Sequence, residues 1–382
     1  MSHLVSVILP SYNHQNYVSI AIDSVLQQTF QDFEFLISDD CSTDDTINVI
    51  KKYKDPRIQL YRFDENQGAT INHKFVIEKT TGKYVALINS DDVWAPTRLE
   101  KQVAYLESHE ECGACFAWAE FIDENDNMLD IGINVFKQPN RTQAQWVQYF
   151  FTKGNCICHP SILIRKKIYE ELGVYNLALR QLPDFDMWTR IVKKYPIYIF
   201  QEYLVKHRRF IHAGENTSSP KITNSIRDVM ESYFILSNFF EGMPDPLFKE
   251  AFHEMFRNKN ASSYTELCCE KFFLLLDGKY YMPQIPLLAA INYFMRVYDE
   301  PGIYETFKKS YNFSLKDFHD ISCKVDLLGL LPKDMVVGSK NDFDVEKYIK
   351  ANKAKIISTI LFDKNSSLYK TLKKIYFKIK RG

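Results

Sequence analysis

Residues 84–102 read YVALINSDDVWAPTRLEKQ. The first six form an apolar, β-rich run too short for a helix, so they are expected to be a strand. Asn89, Ser90, Asp91 and Asp92 then crowd polar and acidic side chains at its end. Pro96 opens a helical pattern with Leu99, Val103 and Leu106 on one face.

The same alternation repeats upstream. Residues 4–9 (LVSVIL), 33–38 (FEFLIS) and 58–61 (IQLY) are further strand-length runs, and residues 112–122 (CGACFAWAEFI) read as another, buried strand. Between the first three lie helical spacings, Ile22, Val25, Leu26 and then Ile47, Ile50, Tyr53, with Ser42 and Asp45 placed as N-cap and first-turn acid of the second helix. Strands joined by helices require crossovers, hence a mostly parallel sheet with helices on both faces. Ligands of such sheets sit at the carboxyl ends of the strands. Four polar segments fall there: 10–13, 39–45, 66–68 and 89–92.

Past residue 216 the pattern turns helical, over 225–240, 246–257 and 286–298. The expected organisation is an α/β catalytic domain over 1–218, a helical C-terminal domain over 219–345 and a basic amphipathic tail over 346–382. A chain of 382 residues exceeds what one core usually supports.

Hydrophobic residues make up 46% and charged ones 25%, ordinary globular usage. The 48 basic and 48 acidic side chains cancel, which argues against a nucleic-acid partner. From residue 349 onward ten basic side chains face Asp363 alone, a local charge of +9. Leu361, Leu368, Leu372, Ile375 and Ile379 interleave with those lysines, the composition of a surface that rests on anionic membrane. The start of the chain shows no basic leader or cleavage site, and no apolar run reaches bilayer length, so the expected location is the cytoplasm, peripheral at the inner face of the plasma membrane. Cys112 and Cys115 are spaced C-x2-C, yet side chains three apart on a strand point to opposite faces, so buried free thiols are expected rather than zinc.

The strand-end acids carry the chemistry. Asp91 or Asp92 can cap the following helix, and a carboxylate at a strand tip can also hold Mg2+ or Mn2+ whose remaining ligands are water and a diphosphate. Adjacent Asp39 and Asp40 cannot both cap one helix, and one can accept from a nucleobase N–H. Tyr12, in Pro10-Ser11-Tyr12-Asn13, offers an aromatic face to a base.

VSVILPSYN, SVLQQTF, ISDDCSTDDT, NQG, TTGKY and INSDDVWAPTRLEKQ, in this order, resemble the family 2 glycosyltransferases of GT-A fold, strongly over residues 4–110 and more loosely over 155–215. The resemblance implies that Pro10, Ser11, Tyr12 and Asp40 cradle the base with Asp39 nearby, and that Asn66 and Gly68 lie beside the ribose. Asn89, Ser90 and Asp91 stand at the family's D-x-D signature, Asp91 as metal ligand, with Asn in place of the first Asp. Where the family carries A-R-N the chain has Asn72-His73-Lys74, leaving His73 or Lys74 to meet the donor. LPDFDMWTR (182–190) is similar to the family's E-D-x-x-L-W-x-R segment and makes Asp184 the catalytic base, with Pro183 for Glu; an N-cap role competes, and Asp186 reads as a solvated helix position. His212, with His207 in reserve, is the implied second contact to metal or diphosphate.

The implied activity is inverting transfer from a nucleoside-diphosphate sugar, UDP-sugar foremost, to a hydroxyl of a glycan or lipid-linked glycan, as in surface polysaccharide synthesis. A sugar nucleotidyltransferase and a non-catalytic nucleotide or sugar binder are the alternatives. A dinucleotide-dependent dehydrogenase needs G-x-G-x-x-G after the first strand, and residues 10–16 contain no Gly.

Overall fold

The computed structural model describes residues 3–130, 132–210, 222–278 and 284–323, without the side chains of 222 and 284. Its strands are β1 (Val5–Ser11), β2 (Phe33–Asp39), β3 (Ile58–Arg62), β4 (Tyr84–Leu87), β5 (Val93–Trp94), β6 (Ala114–Ile122), β7 (Leu163–Arg165) and β8 (Ile197–Arg208). They form one mixed sheet in the order β3-β2-β1-β4-β7-β6-β8-β5. The first four positions are parallel, and β7 then pairs antiparallel with both β4 and β6.

Alternation sorts each parallel strand into two faces. Val5, Val7, Leu9, Phe33, Phe35, Ile37, Tyr84, Ala86 and Ile88 pack with Ala21, Ile22 and Val25 of α1 (Val18–Leu26) and with Leu99, Val103 and Leu106. The intervening Ile8, Leu36, Val85 and Leu87 are buried as well. Against β1 and β2 lies α3 (Ala69–Lys79), burying Val76 and Ile77. A sheet buried on both faces needs the continuous apolar runs seen in the sequence.

Two local expectations are corrected. The helix α2 (Thr46–Ile50) starts at Thr46, and Ser42 does not cap it. Its backbone N–H and its hydroxyl both donate to the Asp39 carboxylate, while Asp44 accepts from the Thr46 N–H at 3.0 Å. Pro96 does not open the next helix either: α4 (Arg98–Ser108) begins two residues later, because Val93–Trp94 is drawn into antiparallel pairing with β8. The Gln28 side chain holds the turn between them, donating to Ala95 O at 2.8 Å and accepting from Leu99 N–H at 3.0 Å. That contact gives the SVLQQTF segment its structural role.

Downstream come α5 (Gln143–Lys153), α6 (Lys166–Leu172), α7 (Pro183–Val192), α8 (Ile222–Ser237), α9 (Asp245–Phe252), α10 (Tyr264–Leu276) and α11 (Gln284–Val297). The chain divides into two compact units, Met1–Asp299 and Glu300–Gly382. Described in the second are α12 (Ile303–Ser310) and α13 (Leu315–Ser322), with the Phe307 and Phe313 rings 5.7 Å apart. His212 and the basic tail 346–382 lie outside the described residues. No helix among the described residues is long and apolar enough to cross a membrane.

Candidate functional site

In the parallel register Ser11 lies beside Asp39, and Asp39 beside Arg62, so the tips of β1, β2 and β3 end level. Asp40 follows, donating its N–H to Ser11 O at 2.8 Å. Its two carboxylate oxygens accept the N–H groups of Gln67 (2.7 Å) and Gly68 (2.9 Å), and Asn66 Nδ2 donates to its carbonyl at 3.2 Å. One buried carboxylate thus shapes the loop that resemblance places beside the ribose. Gly68 has φ +90° with open space where a Cβ would stand, so conformation rather than crowding selects glycine. Gly82 is the opposite case: a Cβ there would lie 2.7 Å from Ser6 N of β1.

Tyr12 is 43% exposed at this rim, while Ser11 is buried with a hydroxyl that has no partner among the described residues. Ser38 Oγ and Asn72 Oδ1 are likewise buried and unpartnered, although Asn72 Nδ2 donates to Ser38 O at 3.0 Å. Buried polar atoms without a protein partner are rare, and a polar ligand or water reaching them would complete the bonding. Lys74 pairs with Glu78 one turn along α3. Burial disfavours charge on His73, whose pKa it lowers; its Nδ1 faces Ala69 O, and its ring stacks on His159 at 5.4 Å.

At the β4 tip the two acids have different surroundings. Asp92 is fully buried and saturated: Oδ1 accepts from Arg208 N–H (2.9 Å) and faces His207 Nδ1 (3.0 Å), while Oδ2 accepts from Asn89 Nδ2 (2.9 Å). Arg208 has no exposure. It donates to the carbonyls of Asp91 (2.8 Å) and Asp123 (2.6 Å) and to Asp126 Oδ1 (2.6 Å). Ser90 Oγ meets His14 Nδ1 at 2.7 Å. The Asp91 carboxylate receives no side-chain donor among the described residues. Its pKa is raised, first by burial and then by Asp92, against the pull of His14 and His207. Burial disfavours charge on this carboxylate, and a positive partner would offset that cost. No group of three or more His, Cys, Asp or Glu side chains able to hold a metal occurs among the described residues. One free carboxylate suits an ion that takes its other ligands from water and phosphate.

Asp184 lies in the first turn of α7, whose N-cap position is Leu182, so it does not cap the helix. Asn155 Nδ2 donates to its Oδ2 at 2.9 Å and Phe185 N–H to its Oδ1 at 2.8 Å. No cation among the described residues pairs with it, and burial pushes its pKa up to about 6. Asp186 proves to be ion-paired rather than solvated, because Arg190 reaches it at 3.0 Å along the helix while donating to Leu172 O and Val174 O. Burial raises the Cys158 thiol, with smaller contributions in the same direction from Asp92 and Asp184.

Two supports carried no local signal. Glu231, buried on α8, accepts the N–H groups of Arg180, Gln181 and Leu182, each at 2.8 Å, and so fixes the approach to Asp184. His159 Nε2 meets Tyr175 Oη at 2.7 Å in the same loop. Only the tertiary fold brings these partners together, and an acid spaced about 50 residues from the loop it serves has no readable pattern.

The parallel half of a mixed sheet thus brings carboxylates to the ends of β2 and β4, where the ligands of such sheets sit. The profile of Glycosyl transferase family 2 matches residues 6–173. An uncharacterized glycosyltransferase of Methanocaldococcus jannaschii is 34% identical over 210 residues, 54% of this chain and 70% of that protein. TuaG of Bacillus subtilis, a glycosyltransferase assigned to teichuronic acid biosynthesis, is 31% identical over 54% of this chain and 79% of its own length. Escherichia coli WfaP, a UDP-Glc:alpha-D-GlcNAc-diphosphoundecaprenol beta-1,3-glucosyltransferase, is 28% identical over 59% and 83%. Among solved structures, residues 1–349 of S. aureus TarS superimpose with a TM-score of 0.52 at 16% identity, over 82% of this chain and 91% of TarS, a likeness of fold. The chain belongs to glycosyltransferase family 2, as the ordered motifs imply.

Proposed function

We propose that the protein is an inverting glycosyltransferase that moves a sugar from a UDP-sugar to a hydroxyl of a glycan or lipid-linked glycan in surface polysaccharide synthesis. The observation that carries this is Asp184: a buried carboxylate with no cationic partner among the described residues, held at about pKa 6. A general base works best when its pKa lies near the operating pH. The names of TuaG and WfaP support the polysaccharide context, and WfaP supports a UDP-sugar with a lipid-diphosphate acceptor.

In this reading Pro10, Ser11 and Tyr12 line the base site with Asp39 and Asp40, and Asn66 and Gly68 flank the ribose. Asn89 and Ser90 border the diphosphate, and Lys74 is released to it from a half-exposed pair of small energetic value. Asp91, with His212 as a further candidate, would hold Mn2+ or Mg2+, which supplies positive charge to the departing diphosphate. Asp184 takes the proton of the acceptor hydroxyl while that oxygen bonds to the anomeric carbon from the face opposite the leaving group. The bond from that carbon to the phosphate oxygen breaks, and its electron pair leaves with UDP. Residues 1–218 would form the catalytic domain, 219–345 the helical one, and 346–382 the stretch that meets the cytoplasmic membrane face.

The test is UDP and GDP release from a panel of nucleotide sugars with Mn2+, with and without acceptor. Asp184→Asn is expected to lose on the order of 10²- to 10⁴-fold in transfer and to keep donor affinity; wild-type transfer by this variant removes Asp184 from the mechanism. Asp91→Ala is expected to abolish the metal dependence of donor binding in calorimetry. Affinity unchanged with metal present would strike Asp91 from the site.

A further inference from the structure

The face of α7 turned away from Asp184 borders a second cavity. It occupies about 520 Å³ between α7, α8 and residues 174–176, within the range of small-molecule sites. Asp186, Thr189, Arg190 and Lys193 supply the α7 wall at helical spacing, and Phe234, Asn238 and Glu241 the other.

The charges in this wall are already spoken for. Arg190 is bound to Asp186 and to backbone carbonyls. Glu241 accepts from Arg296 at 2.6 Å, and Lys193 donates to Glu241 O at 2.9 Å, its pKa lowered by burial to about 8. Arg190 and Glu241 are ion-paired within the protein and Lys193 is tied to a backbone carbonyl, which leaves little charge for a phosphate or a free cation. What remains open is neutral. Phe234 is 41% exposed, and half-buried Asn176 uses its Oδ1 on Ala178 N–H while its Nδ2 has no partner among the described residues. An apolar ring face beside neutral donors and acceptors suits the apolar face and hydroxyl rim of a sugar ring.

We propose that this cavity binds neutral sugar units of the acceptor glycan away from the hydroxyl that reacts. The inference rests on the glycosyltransferase reading and deepens it by making the acceptor an oligosaccharide. The position fits. Thr189 lies five residues beyond Asp184 on α7, roughly 7.5 Å along the axis, and the opposite wall, α8, also carries Glu231, which holds residues 180–182 ahead of the base.

The experiment uses the full chain saturated with UDP, so that the donor site is closed, and measures saturation-transfer NMR and calorimetry with chitohexaose, cellohexaose and maltohexaose. Binding of at least one hexasaccharide is expected, weakened roughly tenfold by Phe234→Ala, while UDP affinity and the melting temperature stay unchanged. Asn238→Trp, which fills the cavity instead of stripping it, is expected to abolish the same binding. The proposal is overturned if none of the three sugars binds, or if binding survives both variants. Donor hydrolysis in the same samples separates the two readings: a chain that releases UDP from a UDP-sugar but ignores hexasaccharides is a transferase without this subsite, whereas a chain that does neither fails the function itself.

Discussion

Replacing Asp184 by Asn should make the protein more stable and nearly inactive, and the stability gain should depend on pH in a calculable way. An unfolded Asp titrates near 3.9, whereas folded Asp184 titrates at about 6. Between these values the folded chain holds a proton that the unfolded chain has released, so the native state loses stability as pH rises through the window. Taking the two constants together, the loss from this group is ~1.5 kcal/mol at pH 5 and ~3 kcal/mol at pH 8. The Asn variant escapes it but brings a cost of its own: its amide has one oxygen for the two donors, Asn155 Nδ2 and Phe185 N–H, a deficit of ~1 kcal/mol at any pH. The difference between variant and wild type should therefore widen by ~1.4 kcal/mol from pH 5 to pH 8, the constant term and all other titrating groups cancelling. Urea unfolding of both proteins at the two pH values measures it. Parallel stability curves would mean that Asp184 titrates as an ordinary surface acid, and the case for a desolvated base would fail. The same constant places the acid limb of transfer activity near pH 6, with about a tenth of the plateau remaining at pH 5.

Glu231→Gln leaves one acceptor oxygen for three backbone N–H groups; transfer should fall about tenfold or more through kcat, since misplacement of a reacting group is costly, with UDP affinity unchanged in calorimetry. Arg208→Met strips three acceptors of a buried cation and should lower stability by ~3–5 kcal/mol, read from thermal unfolding; a loss below about 1 kcal/mol would contradict the buried network. Gly68→Ala meets no atom but forces φ +90° on alanine, at about 1 kcal/mol, and should weaken donor binding measurably while the sheet melts almost as before.

The strands and the polar segments at their ends were readable because each depends on its own residues: a run such as FEFLIS is mostly apolar and of strand length, and the parallel sheet places its end beside those of its neighbours. Motifs that looked like family habit have mechanical content, as when Gln28 ties the turn ahead of Leu99. What local pattern misread was competition. Ser42 suits a cap, but the Asp39 carboxylate three residues back outbids the helix for it. Asp186 suits a wet helix face, but Arg190 one turn on encloses it. Asn155, Glu231 and Arg208 were illegible for a different reason: each acts on a segment at least 29 residues away, and spacing along the chain carries no trace of such a partner.

The reach of Glu231 bears on how such enzymes can be divided and recombined. The α/β half contributes the base, yet the loop leading to that base is held by a helix that follows it in the chain. A shortened enzyme ending at residue 218 would keep every motif by which the family is recognised and lose the clamp that aims its base. Grafting a foreign helical segment onto this sheet would impair turnover in the same way, unless the graft brought an acid to the position of Glu231.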